Sequence, residues 1–143
     1  MKTEHADKYR ETIIALLTAE KLPIADLPEI PENFVVTKQD NEVTGVVGLE
    51  IYGDFALLRS LAVDKGHRNM GLANTLLTQI EALATSKKLK AIYLLTETAP
   101  DYFSRKGYDK ITRADVPAAV QQSSEFSHVC PQSAIVMRKL LIK

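Results

Sequence analysis

Residues 61–80, Leu61-Ala62-Val63-Asp64-Lys65-Gly66-His67-Arg68-Asn69-Met70-Gly71-Leu72-Ala73-Asn74-Thr75-Leu76-Leu77-Thr78-Gln79-Ile80, decide how the chain folds. An apolar run closes at Val63 and gives way to a polar loop that holds Gly66, His67, Arg68 and Gly71. Beyond the loop, Leu72, Leu76, Leu77, Ile80, Leu83 and Ala84 recur at the spacing of one helical stripe. A strand, a glycine-bearing loop and a helix N-terminus in that order aim backbone N–H groups and the positive end of a helix dipole at one point. Such a point suits a pyrophosphate. Small residues serve it because a bulky side chain would hold phosphate oxygens away from the backbone donors. Arg68 adds a charge-assisted contact. The plain alternative is a loop-to-helix junction with a helix-starting glycine. A dinucleotide site of the Rossmann kind fits worse, because the strand follows a hairpin and no G-x-G-x-x-G is present.

Working outward, Tyr9, Ile13, Leu16 and Leu17 predict an amphipathic helix with Asp7 as its N-cap. Pro23, Pro28 and Pro31 separate it from a strand at Phe34, Val35 and Val36. Asp40, Asn41 and Glu42 read as a hairpin turn into a strand over 43–52, and Gly53-Asp54 as a second turn into an antiparallel strand over 55–63. The continuous apolar run 91–95 predicts a strand covered on both faces. Strand, helix and strand across 55–95 then form a crossover unit with a parallel pair. A short helix over 100–106 ends at Gly107, residues 116–128 carry a weak helical pattern, and 134–141 read as a closing strand. No repeat or linker interrupts the chain, so residues 1–143 are expected to form one α/β domain with a mixed sheet.

Composition narrows the functional classes. Of 143 residues, 25% are charged and 45% apolar, with 18 basic residues against 18 acidic ones. A balanced charge exerts no long-range pull on nucleic acid or anionic lipid, and no basic stripe or membrane-length apolar run appears. The single cysteine, Cys130, excludes an internal disulfide and suits a reducing compartment. With a polar N-terminus, these features lead us to expect a cytoplasmic protein with no nucleic-acid or membrane partner. His5, His67 and His128 stand too far apart in sequence to suggest a metal. Cys130 reads as a packed cysteine rather than a nucleophile.

The segment Arg68-Asn69-Met70-Gly71-Leu72-Ala73 resembles the R/Q-x-x-G-x-G/A signature of the GCN5-related N-acetyltransferase (GNAT) superfamily. The resemblance extends from Gly45 to about Lys139. It implies a mixed, mostly antiparallel central sheet with a parallel strand pair at the coenzyme site, flanked by helices. It also implies acetyl-CoA as co-substrate, with no metal. The pantetheine arm would pair with Leu61, Ala62 and Val63, and Arg68, Asn69, Met70, Gly71, Leu72 and Ala73 would hold the pyrophosphate. An N–H near Val63 would be the oxyanion donor. Members of the family often form homodimers.

Residues 96–108 resemble the family's N-x-x-A-x-x-x-Y-x-x-x-G-F segment, with Ala99, Gly107 and Tyr108 in register. Thr96 replaces the Asn, and Phe103 replaces the tyrosine that often protonates the departing thiolate. Tyr102, one position away, is the candidate substitute acid if the helix is re-registered, and otherwise a packing aromatic. An alkyl thiol with a pKa of about 8.5 leaves tolerably as its anion without such help. Residues 1–8 are short and polar for the family's usual first strand. Leu57 occupies the position where histone-lysine acetylases often carry a catalytic Glu.

A two-residue turn at Gly53-Asp54 would set Tyr52 opposite Phe55, Glu50 opposite Leu57 and Gly48 opposite Arg59. Tyr52, Glu50 and Arg59 then share a face, and Gly48 leaves room above the backbone. An arginine among Leu57, Leu58 and Leu61 is costly to bury unless paired. Two roles remain open. Arg59 and Glu50 either form an ion pair that only satisfies the sheet, or Arg59 grips an acidic group of the substrate while Glu50 holds or deprotonates its amine. Residues 49–63, 93–99 and 126–134 are similar to arsenic-resistance-linked N-acetyltransferases, and amino-acid N-acetyltransferases share parts of the pattern. That branch implies direct acetyl transfer to a small amino-acid-like amine bearing an acidic group. The alternatives are a protein or peptide N-acetyltransferase and a non-catalytic coenzyme A-binding regulatory module, the latter favoured by the missing tyrosine.

Overall fold

The computed structural model of the chain describes residues 2–5, 10–19, 33–39, 42–64, 66, 71–96, 99–121 and 134–141. Their elements, in order, are β1 (Lys2–His5), α1 (Arg10–Ala19), β2 (Phe34–Gln39), β3 (Glu42–Tyr52), β4 (Phe55–Val63), α2 (Leu72–Ser86), β5 (Ala91–Thr96), α3 (Pro100–Arg105), β6 (Asp109–Ile111), α4 (Ala118–Gln121) and β7 (Ile135–Leu140). The strands form one sheet in the order β1-β2-β3-β4-β5-β7-β6. Strand β4 runs parallel to β5 through Phe55↔Ala91, Ala56↔Ile92 and Leu57↔Tyr93, as the crossover requires. The β1–β2, β2–β3, β5–β7 and β6–β7 pairs are antiparallel. A mixed sheet with a parallel pair and flanking helices is thus observed.

The chain's contacts group into two compact units, Met1–Leu49 with Arg59–Leu83, and Glu50–Leu58 with Ala84–Lys143. In the first, α1 turns Ile13, Leu16 and Leu17 onto Phe34, Val36, Val46 and Ala62. Successive residues of β3 face opposite ways: Val46 joins that cluster, while Gly45 faces α2. A Cβ on Gly45 would stand 2.8 Å from Leu76 Cδ1 and 2.8 Å from Thr37 Oγ1, so only glycine permits this approach. Helix α2 buries Leu72, Leu76, Leu77, Ile80 and Ala84, and leaves Leu83 half-buried at the edge of its stripe. Each large member of that stripe contributes about 1.5–3 kcal/mol.

In the second unit, Leu57, Ala91, Tyr93, Val116, Val120 and Val136 form the core, edged by Tyr52, Phe55, Leu95 and Ile111. The turn at its tip is built as the sequence predicts. Gly53 takes φ +64, as the first central residue of a tight hairpin turn does, and the Asp54 carbonyl accepts a hydrogen bond from Lys90 N–H at 2.7 Å.

Three differences from the sequence reading stand out. The short, polar N-terminal stretch does form a first strand, paired to β2 from Lys2↔Lys38 to His5↔Val35. An edge strand is held by backbone bonds and needs no apolar pattern. The three-residue β6 was not foreseen, being too short and charged for a period-two signal. The helix expected over 116–128 begins at Ala118, after a 3-10 turn at Arg113–Asp115, and α4 is described as far as Gln121; residues 122–128 lie outside the described residues. Asp7, Tyr9, Asp40, Asn41, His128 and Cys130 lie outside the described residues.

Candidate functional site

The strand and helix that frame the expected pyrophosphate loop are both in place. Leu61, Ala62 and Val63 end β4, with Ala62 buried and its neighbours half-buried. Asp64 N–H donates to the Thr44 carbonyl at 2.7 Å, which ties that strand end to β3. On the far side of the loop, Gly71 is exposed and holds φ +75, with nothing within 4 Å of where a Cβ would stand. The first turn of α2 closes on it: Thr75 N–H and Thr75 Oγ1 donate to the Gly71 carbonyl at 3.0 and 3.1 Å. Leu72 anchors the helix in the core, and Ala73 is half-buried. Glycine at 71 therefore has a conformational reason beside the steric one proposed from sequence. Arg68, Asn69 and Met70 lie outside the described residues.

The second segment is organised by Thr96. Its Oγ1 accepts a hydrogen bond from Ala99 N–H at 3.1 Å, which bridges the end of β5 and the start of α3. Helix α3 keeps an ordinary register, with Phe103 N–H donating to the Ala99 carbonyl at 3.2 Å. Phe103 is buried against Tyr108, their rings 5.6 Å apart and edge to face. The residue at the family's tyrosine position is therefore a core aromatic. Tyr102 packs edge to face on Phe103 at 5.4 Å, with Lys106 Nζ 5.6 Å above its ring. With helix α3 in its ordinary register, Tyr102 stays one position from the family's tyrosine, and its ring packs on Phe103. Gly107, at φ +95, ends the helix, and Lys139 Nζ donates to the Lys106 carbonyl at 3.1 Å.

The acceptor candidates occupy β3 and β4. Arg59 is buried, with 3% of its surface exposed. Its Nε–H donates to Ser60 Oγ at 3.0 Å. Ser60 itself takes φ +62 inside a strand, a conformation that costs a non-glycine residue about 1–2 kcal/mol. Sequence reasoning missed Ser60. Its only signal was a second polar residue beside Arg59 in the run Leu57-Leu58-Arg59-Ser60-Leu61. Glu50 and Tyr52 share a face of β3, as alternation dictates, and Tyr52 Oη donates to Glu50 Oε1 at 2.5 Å. The room expected above Gly48 is not there. Phe34, its partner across β2–β3, lays its ring where a Cβ would stand. Among the described residues no group of three or more His, Cys, Asp or Glu gathers to hold a metal, and no helix is long and apolar enough to cross a membrane.

Residues 4–111 match the model of the acetyltransferase (GNAT) family. That match covers well over half of the sequence, and the chain belongs to this family. It is 27% identical over 101 residues to CT2212 of Chlorobaculum tepidum, described as an uncharacterized N-acetyltransferase, the match spanning 70% of this chain and 64% of that one. The fold is similar to N-acetylglutamate synthase from Neisseria gonorrhoeae, solved with coenzyme A and N-acetyl-glutamate: TM-score 0.84, 16% identity, 99% of this chain and 35% of that one. It is also similar to Rv2747 from Mycobacterium tuberculosis, solved in complex with CoA: TM-score 0.82, 20% identity, 99% of this chain and 100% of that one.

Proposed function

We propose that the chain is an acetyl-CoA-dependent N-acetyltransferase acting on a small, amino-acid-like amine that carries an acidic group. Membership of the family supports the donor, and the burial of Arg59 carries the reading of the acceptor. A planar guanidinium held inside the protein is suited to a carboxylate, which it meets with two parallel hydrogen bonds. The N-acetylglutamate synthase of similar fold, solved with N-acetyl-glutamate, agrees with this class.

In this reading, coenzyme pyrophosphate lies at the N-terminus of α2, on the loop Arg68, Asn69, Met70, Gly71, Leu72 and Ala73, and its arm runs along Leu61, Ala62 and Val63. Arg59 anchors the acceptor, and Glu50, oriented by Tyr52, takes a proton from the ammonium. The freed amine nitrogen attacks the thioester carbonyl carbon. The tetrahedral adduct's nitrogen gives up its extra proton to water, and the adduct collapses to the amide as the C–S bond breaks. The thiolate leaves as the anion, because Phe103 offers no proton and a thiol with a pKa of about 8.5 needs little help near neutral pH.

Release of free thiol from acetyl-CoA, followed over a panel of acidic amino acids, neutral amino acids, amines and peptides, tests the proposal. Turnover should be confined to acceptors with an amine and an acidic group. Turnover on peptide N-termini or lysines would replace it with a protein acetyltransferase. Tight acetyl-CoA binding with no turnover would point to a binding module.

A further inference from the structure

Ser60 combines two features that a strand residue rarely has. It is a non-glycine residue in the left-handed region, and its hydroxyl oxygen accepts the Nε–H of a buried arginine. A glycine would relieve the backbone, since it populates positive φ without steric cost. Serine therefore brings something that the backbone does not require. Its oxygen, 3.0 Å from Nε, holds the guanidinium plane from the side nearest the main chain. A guanidinium has one Nε–H and four Nη–H donors in a fixed fork. With Nε committed to Ser60, a carboxylate would be received end-on by the Nη atoms rather than side-on.

We infer that Ser60 is a positioning residue: its hydroxyl, at 3.0 Å from Nε, fixes the orientation in which Arg59 presents its fork to the acidic group of the acceptor. The inference rests on the acidic-acceptor reading above. Strain kept where glycine would remove it is the pattern of a functional constraint, and here the hydrogen bond names the constraint. The hydroxyl touches Arg59 and acts through it.

The test is a double-mutant cycle on the full chain, with Ser60→Gly, Ser60→Ala, Arg59→Ala and the pair Ser60→Gly/Arg59→Ala. Affinity for glutamate and aspartate is read by calorimetry in the presence of CoA, with melting temperature and acetyl-CoA affinity beside it. Ser60→Gly should melt higher than the parent yet bind the acidic amino acid about five- to tenfold more weakly, the worth of one charge-assisted hydrogen bond. Acetyl-CoA affinity should be unchanged. Ser60→Ala should bind equally weakly while melting lower, since it keeps the strain without the bond. On the Arg59→Ala background, Ser60→Gly should change affinity no further. If Arg59→Ala weakens binding and Ser60→Gly does not, the inference on Ser60 falls alone. If Arg59→Ala binds as the parent does, or the parent binds neither amino acid, the acidic-acceptor reading falls and takes the inference with it. A Ser60→Gly protein that is both less stable and weaker for acetyl-CoA would make Ser60 a purely structural residue.

Discussion

Among the described residues, two other than glycine adopt positive φ: Ser60 at +62 and Lys88 at +60. The same backbone conformation serves different ends at the two places. Lys88 lies just past α2 and is exposed. Its N–H donates to the Thr85 carbonyl at 3.0 Å, and Leu89 N–H reaches back to Ala84 at 3.1 Å, so the left-handed residue turns the chain out of the helix. Leu89, buried at 4% exposure, fixes the exit. Glycine is the usual occupant of such a position, and nothing in the structure requires a lysine there. At Ser60 the side chain has its own bond to Arg59. Strain alone does not mark a site; at Ser60 the bond to a buried charge beside it carries our proposal.

The sharpest way to break this contrast is to ask whether the hairpin carrying Ser60 does chemistry at all. Glu50→Gln keeps the shape and the bond from Tyr52 but removes the negative charge. In our reading kcat should fall by about a hundredfold or more, the worth of a positioned general base. The rate should recover as pH rises toward the range where a free amine loses its proton unaided. Steady-state kinetics across pH on a protein with an unaltered melting curve provides the check. Full turnover from a folded Glu50→Gln enzyme would leave Glu50 a structural partner of Tyr52.

Arg59→Ala comes next. The acceptor KM should rise roughly 30-fold, the loss of a buried charge-assisted contact, while kcat changes less. Arg59→Lys should rescue little, because an ammonium offers no planar fork. An equal fall in melting temperature for Arg59→Ala and Glu50→Gln, with activity per folded molecule intact, would mean that the two only satisfy the sheet.

The comparison also separates what a reader of the sequence can find from what only the folded chain displays. Residues 61–80 carry a change of period from a strand to a helix, and that change is written in side chains; α2 and the parallel β4–β5 pair follow from it. Arg59 stood out for the same reason, as a charge where the pattern demands an apolar residue. The φ of Ser60 has no such signature, since serine occurs in every backbone region. Gly48 misled because the turn at Gly53-Asp54 constrains its partner on β4 and says nothing of Phe34 on β2. Strand β1 was hidden because Lys2-Thr3-Glu4-His5 carries no alternating apolar pattern, so only its pairing with β2 reveals it. At Arg68, Asn69 and Met70 the family motif carries the reading.

Lys88→Gly is the control for strain without function. Removing the left-handed penalty should stabilise the chain by about 0.5–1 kcal/mol once the greater freedom of glycine in the unfolded state is counted. In a protein of this size that is a rise in melting temperature of roughly 2–4 °C per kcal/mol. Acceptor and acetyl-CoA KM should not move. A Lys88→Gly protein with weakened acceptor affinity would erase the distinction drawn between the two positions.

The smallest effect concerns a hydroxyl-to-charge bond without strain or burial. Thr112 Oγ1 and Thr112 N–H donate to Asp115 Oδ2 at 2.9 and 3.2 Å; the backbone bond is one half of a capping box on the 3-10 turn, in which Asp115 N–H donates to the Thr112 side chain as the other half. The hydroxyl bond first, then the backbone bond, holds the Asp115 carboxyl below its usual pKa, with the charge of Arg138 adding to them against a small opposing effect of burial. A folded-state pKa below the unfolded one contributes stability that is present above the unfolded value and is lost as pH falls through the folded value. Thr112→Val removes the larger of the two bonds and keeps the backbone one. The variant should therefore melt slightly below the parent at neutral pH, and the gap should close as the pH drops below the ordinary carboxylate range. Because Asp115 is solvent-exposed, water competes for the same carboxylate and the gap should be far smaller than the acceptor-binding change expected at Ser60. Melting curves of the two proteins from neutral pH downward test this, and a gap that widened in acid would refute it. The same hydroxyl-to-charge bond would then count for little in water at Thr112 and for much around the buried guanidinium of Arg59, with burial making the difference.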